Sequence, residues 1–164
     1  MSPYGCTPGV HLFRATGKPK EALISHIFQS NGHKPPGQRR IVVVDESDEL
    51  LELMKMVLEA DGHAATVLHG SDGAYRTIKE IKPALLILDV VLEKPDTGWQ
   101  LLQILKLDAA TSEIPVIVCS ADSRFLRDNE ERLSRLGCYI LHKPFDLDEL
   151  IAMVGTALSA APKR

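Results

Sequence analysis

The stretch IVVVDESDELLELM, residues 41–54, changes period in its middle, and that change decides the fold. Ile41, Val42, Val43 and Val44 form an unbroken β-branched run, the composition of a strand buried on both faces. From Ser47 onward the apolar positions are Leu50, Leu51, Met54, Val57 and Leu58, which share one face of a helix, so the spacing predicts a helix over 47–60. Ser47 is suited to accept the free N–H groups of the first turn, and Gly62 to stop the last one. A buried strand that runs directly into an amphipathic helix is half of a βαβ unit.

Working outward, the same unit recurs. AATVLH (64–69), ALLILDV (84–90), PVIVCS (115–120) and CYILH (138–142) read as strands, and helices are expected over 71–81, 98–109, 124–136 and 146–158. Five strands, each followed by a helix, imply an α/β fold: a doubly wound parallel sheet with right-handed crossovers and helices on both faces. In such sheets the working site lies beyond the carboxyl ends of the strands, where the strand order reverses.

Length and composition agree. With 164 residues and 45% hydrophobic content the chain can bury one core, and 5% aromatics suits helices stacked on a small sheet. Residues 1–38 are rich in Gly and Pro and read as a flexible, basic N-terminal extension, 39–160 as the domain, and 161–164 as a C-terminal tail. Within the extension, Leu23, Ile24, Ile27 and Phe28 would share a face of a short helix over 20–30.

The net charge of -3 is unevenly distributed. Residues 1–40 carry six basic side chains and one acid, Glu21, which leaves 13 basic and 21 acidic residues for the rest. That balance disfavours a nucleic-acid surface on the folded part. Cys6, Cys119 and Cys138 show neither C-x-x-C spacing nor a disulfide framework, and the last two lie in apolar runs as small hydrophobes. Neither a signal-peptide pattern nor an apolar run of spanning length occurs, so the expected location is cytoplasmic, with no membrane partner.

The strand ends carry the chemistry. The first ends in Asp45 and Glu46, the third in Asp89, the fourth in Ser120 and the fifth in Lys143. Crowded carboxylates repel, and a hard divalent cation that accepts oxygen ligands and keeps several waters relieves them; Mg²⁺ fits. A carboxylate beside Mg²⁺ can attack a phosphoryl donor if the charge on the three equatorial oxygens is neutralised, here by the metal, Lys143 and the Ser120 hydroxyl. Taken singly, an Asp closing a strand is usually a turn starter and a Lys before Pro a loop residue; the joint pattern is what is specific.

With these pieces in hand, IVVVDESDELLELM, LLILDVVLEKPDTGWQLLQIL, IPVIVCSAD and HKPFDLDELI together resemble the receiver domains of two-component response regulators over residues 41–160. The resemblance implies a flavodoxin-like fold with strand order 2-1-3-4-5, the phosphoacceptor at Asp89, the phosphate-sensing hydroxyl at Ser120 and the site lysine at Lys143. It implies Mg²⁺ held by Asp45, Glu46, Asp89 and the backbone carbonyl of Val91, and a cis Lys143-Pro144 peptide aiming the ammonium at Asp89. The implied partners are a sensor histidine kinase or phosphotransfer protein and a downstream effector protein, with no direct DNA binding; the chain is expected not to be a turnover enzyme. The segment after the last predicted helical positions, ALSAAPKR, leaves no room for an output domain, so action through a phosphorylation-sensitive face is expected.

Three departures qualify the resemblance. Glu46 stands where Asp is usual, the loop VVLEKPDTG is about one residue longer than the common form, and Ile140 occupies the position that is usually aromatic. Tyr139, one place away, should face the opposite side of the sheet. Two residues past the strand ends, Val91 and Asp122 are the neighbours expected to govern water near a phosphoryl group. The alternatives are a degenerate receiver used only for protein contact and a phosphatase of the haloacid dehalogenase class, whose second carboxylate is absent because Val91 stands there. No P-loop motif occurs.

Overall fold

The computed structural model describes residues 38–92 and 97–160. The proposed 20–30 helix, most of the N-terminal extension, the residues 93–96 of the long loop and the 161–164 tail lie outside the described residues. The elements alternate as expected: β1 (Arg40–Asp45), α1 (Asp48–Ala60), β2 (Ala64–His69), α2 (Ala74–Ile81), β3 (Leu85–Asp89), α3 (Thr97–Leu107), β4 (Val116–Ser120), α4 (Ser123–Arg135), β5 (Cys138–His142) and α5 (Leu147–Ala160). The strands form one parallel sheet in the order β2-β1-β3-β4-β5.

Strand alternation divides the core in two. Ile41, Val43, Leu85, Ile87, Ile117 and Leu141 face α1 and α5, which contribute Leu51, Met54, Leu58, Leu150 and Val154. Val42, Val44, Leu86, Leu88, Val116 and Val118 face α2, α3 and α4, which contribute Ile78, Leu101, Leu102, Leu105, Leu126 and Leu133. A sheet with apolar groups on both faces needs the continuous apolar strands seen in the sequence, and each fully buried Leu, Ile or Val contributes about 2 kcal/mol. No helix among the described residues is long and apolar enough to cross a membrane.

The helix ends show local chemistry at work. Ser47 caps α1, its Oγ accepting from Leu50 N at 3.3 Å. The helix expected from residue 71 begins only at Ala74, because Gly73 before it adopts φ 73°, a left-handed conformation that closes a turn instead. The α3 helix stops at Leu107 rather than 109: the buried Thr111 hydroxyl donates to Leu105 O at 2.7 Å, and Lys106 Nζ to Ser112 O and Ile114 O, folding the chain back. Asp108 ties this corner to α2, accepting from the Tyr75 hydroxyl at 2.5 Å and Lys79 at 2.7 Å.

Candidate functional site

Parallel register puts the proposed groups side by side. Val44 pairs with Leu88, so the next residues, Asp45 and Asp89, end adjacent strands at the place where the chain order reverses between β1 and β3. Ser120 pairs with His142, and Lys143 N donates to Ser120 O at 2.9 Å, extending the β4–β5 ladder by one residue. The Lys143-Pro144 peptide is cis, as the resemblance implies.

The Lys143 ammonium donates to Asp45 Oδ2 and to Asp89 Oδ2, both at 2.6 Å. The two carboxylates are buried, at 3% and 7% relative exposure, and their other oxygens accept backbone N–H groups: Asp45 Oδ1 from Ser47 at 2.9 Å, and Asp89 Oδ1 from Val91 at 2.8 Å. Two negative charges removed from water are thus offset by one positive charge and two oriented amides. Burial opposes the charged form of Lys143, but the hydrogen bonds and charges of Asp45 and Asp89 outweigh it and hold its pKa above the ordinary lysine value. Cys119, between these groups on β4, is driven up to about 12 by burial and is an inert thiol, as expected from the sequence; Cys138 is only partly buried.

The remaining predicted groups stand differently. Ser120 is fully buried, and its Oγ accepts from Asp122 N at 3.0 Å. Glu46 is half-buried and borders a groove with His69, Ser71, Asp72, Leu92 and Thr97. Among the described residues no group of three or more acidic, His or Cys side chains is placed to hold a metal ion. Val91 turns its N–H toward Asp89 and leaves its side chain 45% exposed.

The donor set nonetheless suits Mg²⁺. Each carboxylate oxygen of Asp45 and Asp89 accepts one hydrogen bond and has two lone pairs, which leaves capacity for a hard cation. Mg²⁺ is commonly held by one or two carboxylates with waters completing its shell, so a three-carboxylate cage is not needed.

One residue escaped the sequence reading, and a second has a helix-capping role beside the one expected of it. Gly98, taken only as a helix start, packs on the backbone that follows the acceptor: a Cβ there would meet Asp89 O and would lie 2.7 Å from Val90 Cα. That approach is a tertiary relation without a local signal. The second is Asp122. Its Oδ1 accepts from Arg124 N at 3.0 Å and Phe125 N at 2.9 Å, so it is the N-cap of α4. An Asp just before a helical run is a recognisable cap, and it moves the helix start from 124 to Ser123.

A doubly wound, flavodoxin-like α/β domain with a lysine-bridged carboxylate pair at its switch point is the class that these features define. The chain belongs to the response regulator receiver domain family, whose model matches residues 41–155. It is 32% identical over 120 residues to the phosphate regulon transcriptional regulatory protein PhoB of Klebsiella pneumoniae, covering 71% of this chain and 50% of that protein. It is 29% identical to the nitrogen assimilation regulatory protein NtrX of Azorhizobium caulinodans, with 72% of this chain and 26% of that protein covered. Among solved structures, the receiver domain of Francisella response regulator 1452 superposes with a TM-score of 0.66 at 27% identity, over 76% of this chain and 100% of that one. The chain spans half or less of the length of these two curated relatives, and the matching part is the receiver alone.

Proposed function

We propose that the chain is a phosphoacceptor signalling domain that takes a phosphoryl group on Asp89 and acts through protein contacts. The observation that carries this reading is the convergence of buried Asp45 and Asp89 with half-buried Lys143 at the ends of three different strands, a costly arrangement that the fold has no need of. The donor is a sensor histidine kinase or a phosphotransfer protein, and the recipient of the signal an effector protein in the cytoplasm; no DNA contact and no catalytic turnover belong to this part of the chain.

In the transfer, an Asp89 carboxylate oxygen forms a bond to phosphorus as the donor's phosphorus–nitrogen bond breaks, and the leaving imidazole takes a proton. Asp45 and Asp89, with Glu46 and the Val91 carbonyl at the edge of the site, would hold Mg²⁺. When bound, the ion neutralises charge on the phosphoryl oxygens. Lys143 has three N–H donors, two of which are engaged by the carboxylates, so it can turn one toward a phosphoryl oxygen without leaving the site. The Val91 N–H orients Asp89 through its second oxygen. Ser120 supplies the remaining hydroxyl donor.

Incubation with labelled acetyl phosphate and Mg²⁺ tests the reading. Stoichiometric label that remains on the protein is expected; rapid release of phosphate with repeated turnover would instead indicate a phosphatase.

A further inference from the structure

We infer that the outward face of α3 is a docking site for residues 20–30 of this same chain. The inference goes beyond phosphoryl acceptance and does not depend on it.

What α3 leaves exposed sets it apart. Among the described residues the exposed large hydrophobics are Val91, Ile104 and Leu107, and the last two, 49% and 85% exposed, sit one turn apart on α3. Single exposed apolar residues are ordinary on a folded surface, whereas neighbouring ones on a helix face mark a contact. From residue 100 to 110 the exposed positions are Gln100, Ile104, Leu107, Ala109 and Ala110, and none is charged. The other helices of this layer and α1 turn charged side chains to solvent, such as Glu52, Arg76 and Glu130. The two charged groups beside the stripe are engaged elsewhere: Lys106 Nζ donates to Ser112 O and Ile114 O, and Asp108 accepts from Tyr75 and Lys79. A helix face without solvating charge is one that packs on another element.

Place, length and charge select the occupant. β1 starts at Arg40 beside β3, where Ala84 N donates to Arg40 O at 2.8 Å. After β3 the chain runs back through α3 to the start of β4, where Leu86 N donates to Pro115 O at 3.0 Å. Leu107, the last residue of α3, therefore lies at the edge of the sheet where the N-terminal extension joins. One strand spacing of about 4.8 Å and one helix diameter of about 10–12 Å separate the two. The linking residues NGHKPPG (31–37) can span up to about 23–25 Å, enough to lay residues 20–30 along α3. Leu23 with Ile27 and Ile24 with Phe28 are spaced four apart, the spacing that makes one apolar face of a helix. So short a helix is marginal in water unless that face is packed, so the segment needs a surface as α3 needs a cover. Six basic residues and one acid give residues 1–40 a net charge of +5, while 13 basic and 21 acidic residues give the rest -8. The extension is thus drawn to the domain, and two domains meeting through α3 would repel.

Hydrogen–deuterium exchange of the full chain, read by mass spectrometry, tests the docking. In wild type, amides of residues 20–30 are expected to exchange about tenfold or more slowly than an unstructured chain. Ile104→Gln with Leu107→Gln should abolish that protection; both sites face solvent and glutamine suits a helix, so circular dichroism should show the fold intact. If that variant does not fold, Phe28→Gln, which lies outside the domain, carries the comparison and should free 20–30 and speed exchange at the end of α3. Sedimentation of the same samples separates the occupants, and a monomer with 20–30 protected is expected. A dimer that dissociates in the α3 variant, with 20–30 unprotected throughout, would overturn the proposal in favour of a second copy. Exchange of 20–30 in wild type at the unstructured rate, or protection that persists in the folded α3 variant, would also overturn it.

Discussion

Lys143 lies 2.6 Å from Asp89 while holding Asp45 at the same distance, so one ammonium supports two buried carboxylates that belong to different strands. Its removal leaves both acids out of water without a counter-charge. We predict that Lys143→Met lowers unfolding stability by about 3 kcal/mol in metal-free buffer at neutral pH, the scale for breaking a buried pair. Because the folded pKa of Lys143 is raised, its contribution is fully present at neutral pH and is lost only as pH rises through that alkaline value. Urea unfolding measures the difference; a loss below about 1 kcal/mol, the scale of an exposed pair, would contradict the burial argument.

Gly98 permits α3 to start against the backbone of Asp89 and Val90. An added methyl meets main chain, which cannot rotate away, so Gly98→Ala is expected to cost about 1–3 kcal/mol and to displace the acceptor loop. Thermal unfolding and the rate of labelling should both suffer. Unchanged stability together with unchanged labelling would show that the contact yields freely.

Val91 has a stiff apolar side chain, 45% exposed, two residues past the acceptor. Hydrolysis of an acyl phosphate needs a water held in line with phosphorus, and Val91 has no group to hold it. Slow self-dephosphorylation is therefore expected, with Val91→Asn severalfold faster at the same Mg²⁺ and pH. The structure strengthens this reading by directing the carboxylate of Asp122 into the α4 cap. Decay of label after donor removal decides the matter, and equal or slower decay in the variant would sink the water-positioning argument.

His63 is buried just before β2 with both ring nitrogens lacking hydrogen-bond partners, although Asp61 Oδ2 lies 3.4 Å from Nε2. Burial lowers its pKa; Asp61 opposes the shift and Arg39 adds to it. A depressed folded pKa means that the unfolded chain binds the proton first, so stability present above about pH 6.5 is lost progressively as pH falls from there toward the folded value. Melting temperatures of wild type should fall more steeply between neutral and mildly acid pH than those of His63→Leu. Parallel curves would exclude this histidine as the cause.

Much of this was legible in the sequence because the signals were local. The runs at Ile41 to Val44 and 138–142 announced strands, and the alternation that separates Tyr139 from Ile140 put them in opposite core layers as expected. Asp45, Asp89 and Lys143 could be grouped because parallel strands of similar length end together. What was not legible depends on distance in space. The close approach of Gly98 to Val90 joins elements through the fold, and the turn at Gly73 that shortens α2 is a choice of backbone conformation rather than of period. The cap at Asp122 was visible as a residue type but lost in the choice of helix start.

The central claim is that Asp89 is the acceptor, and intact-mass measurement of wild type and Asp89→Asn after acetyl phosphate and Mg²⁺ tests it most directly. The account predicts one phosphoryl increment on the wild type, labile to base, and none on Asp89→Asn with the fold retained. An undiminished increment on Asp89→Asn would contradict it.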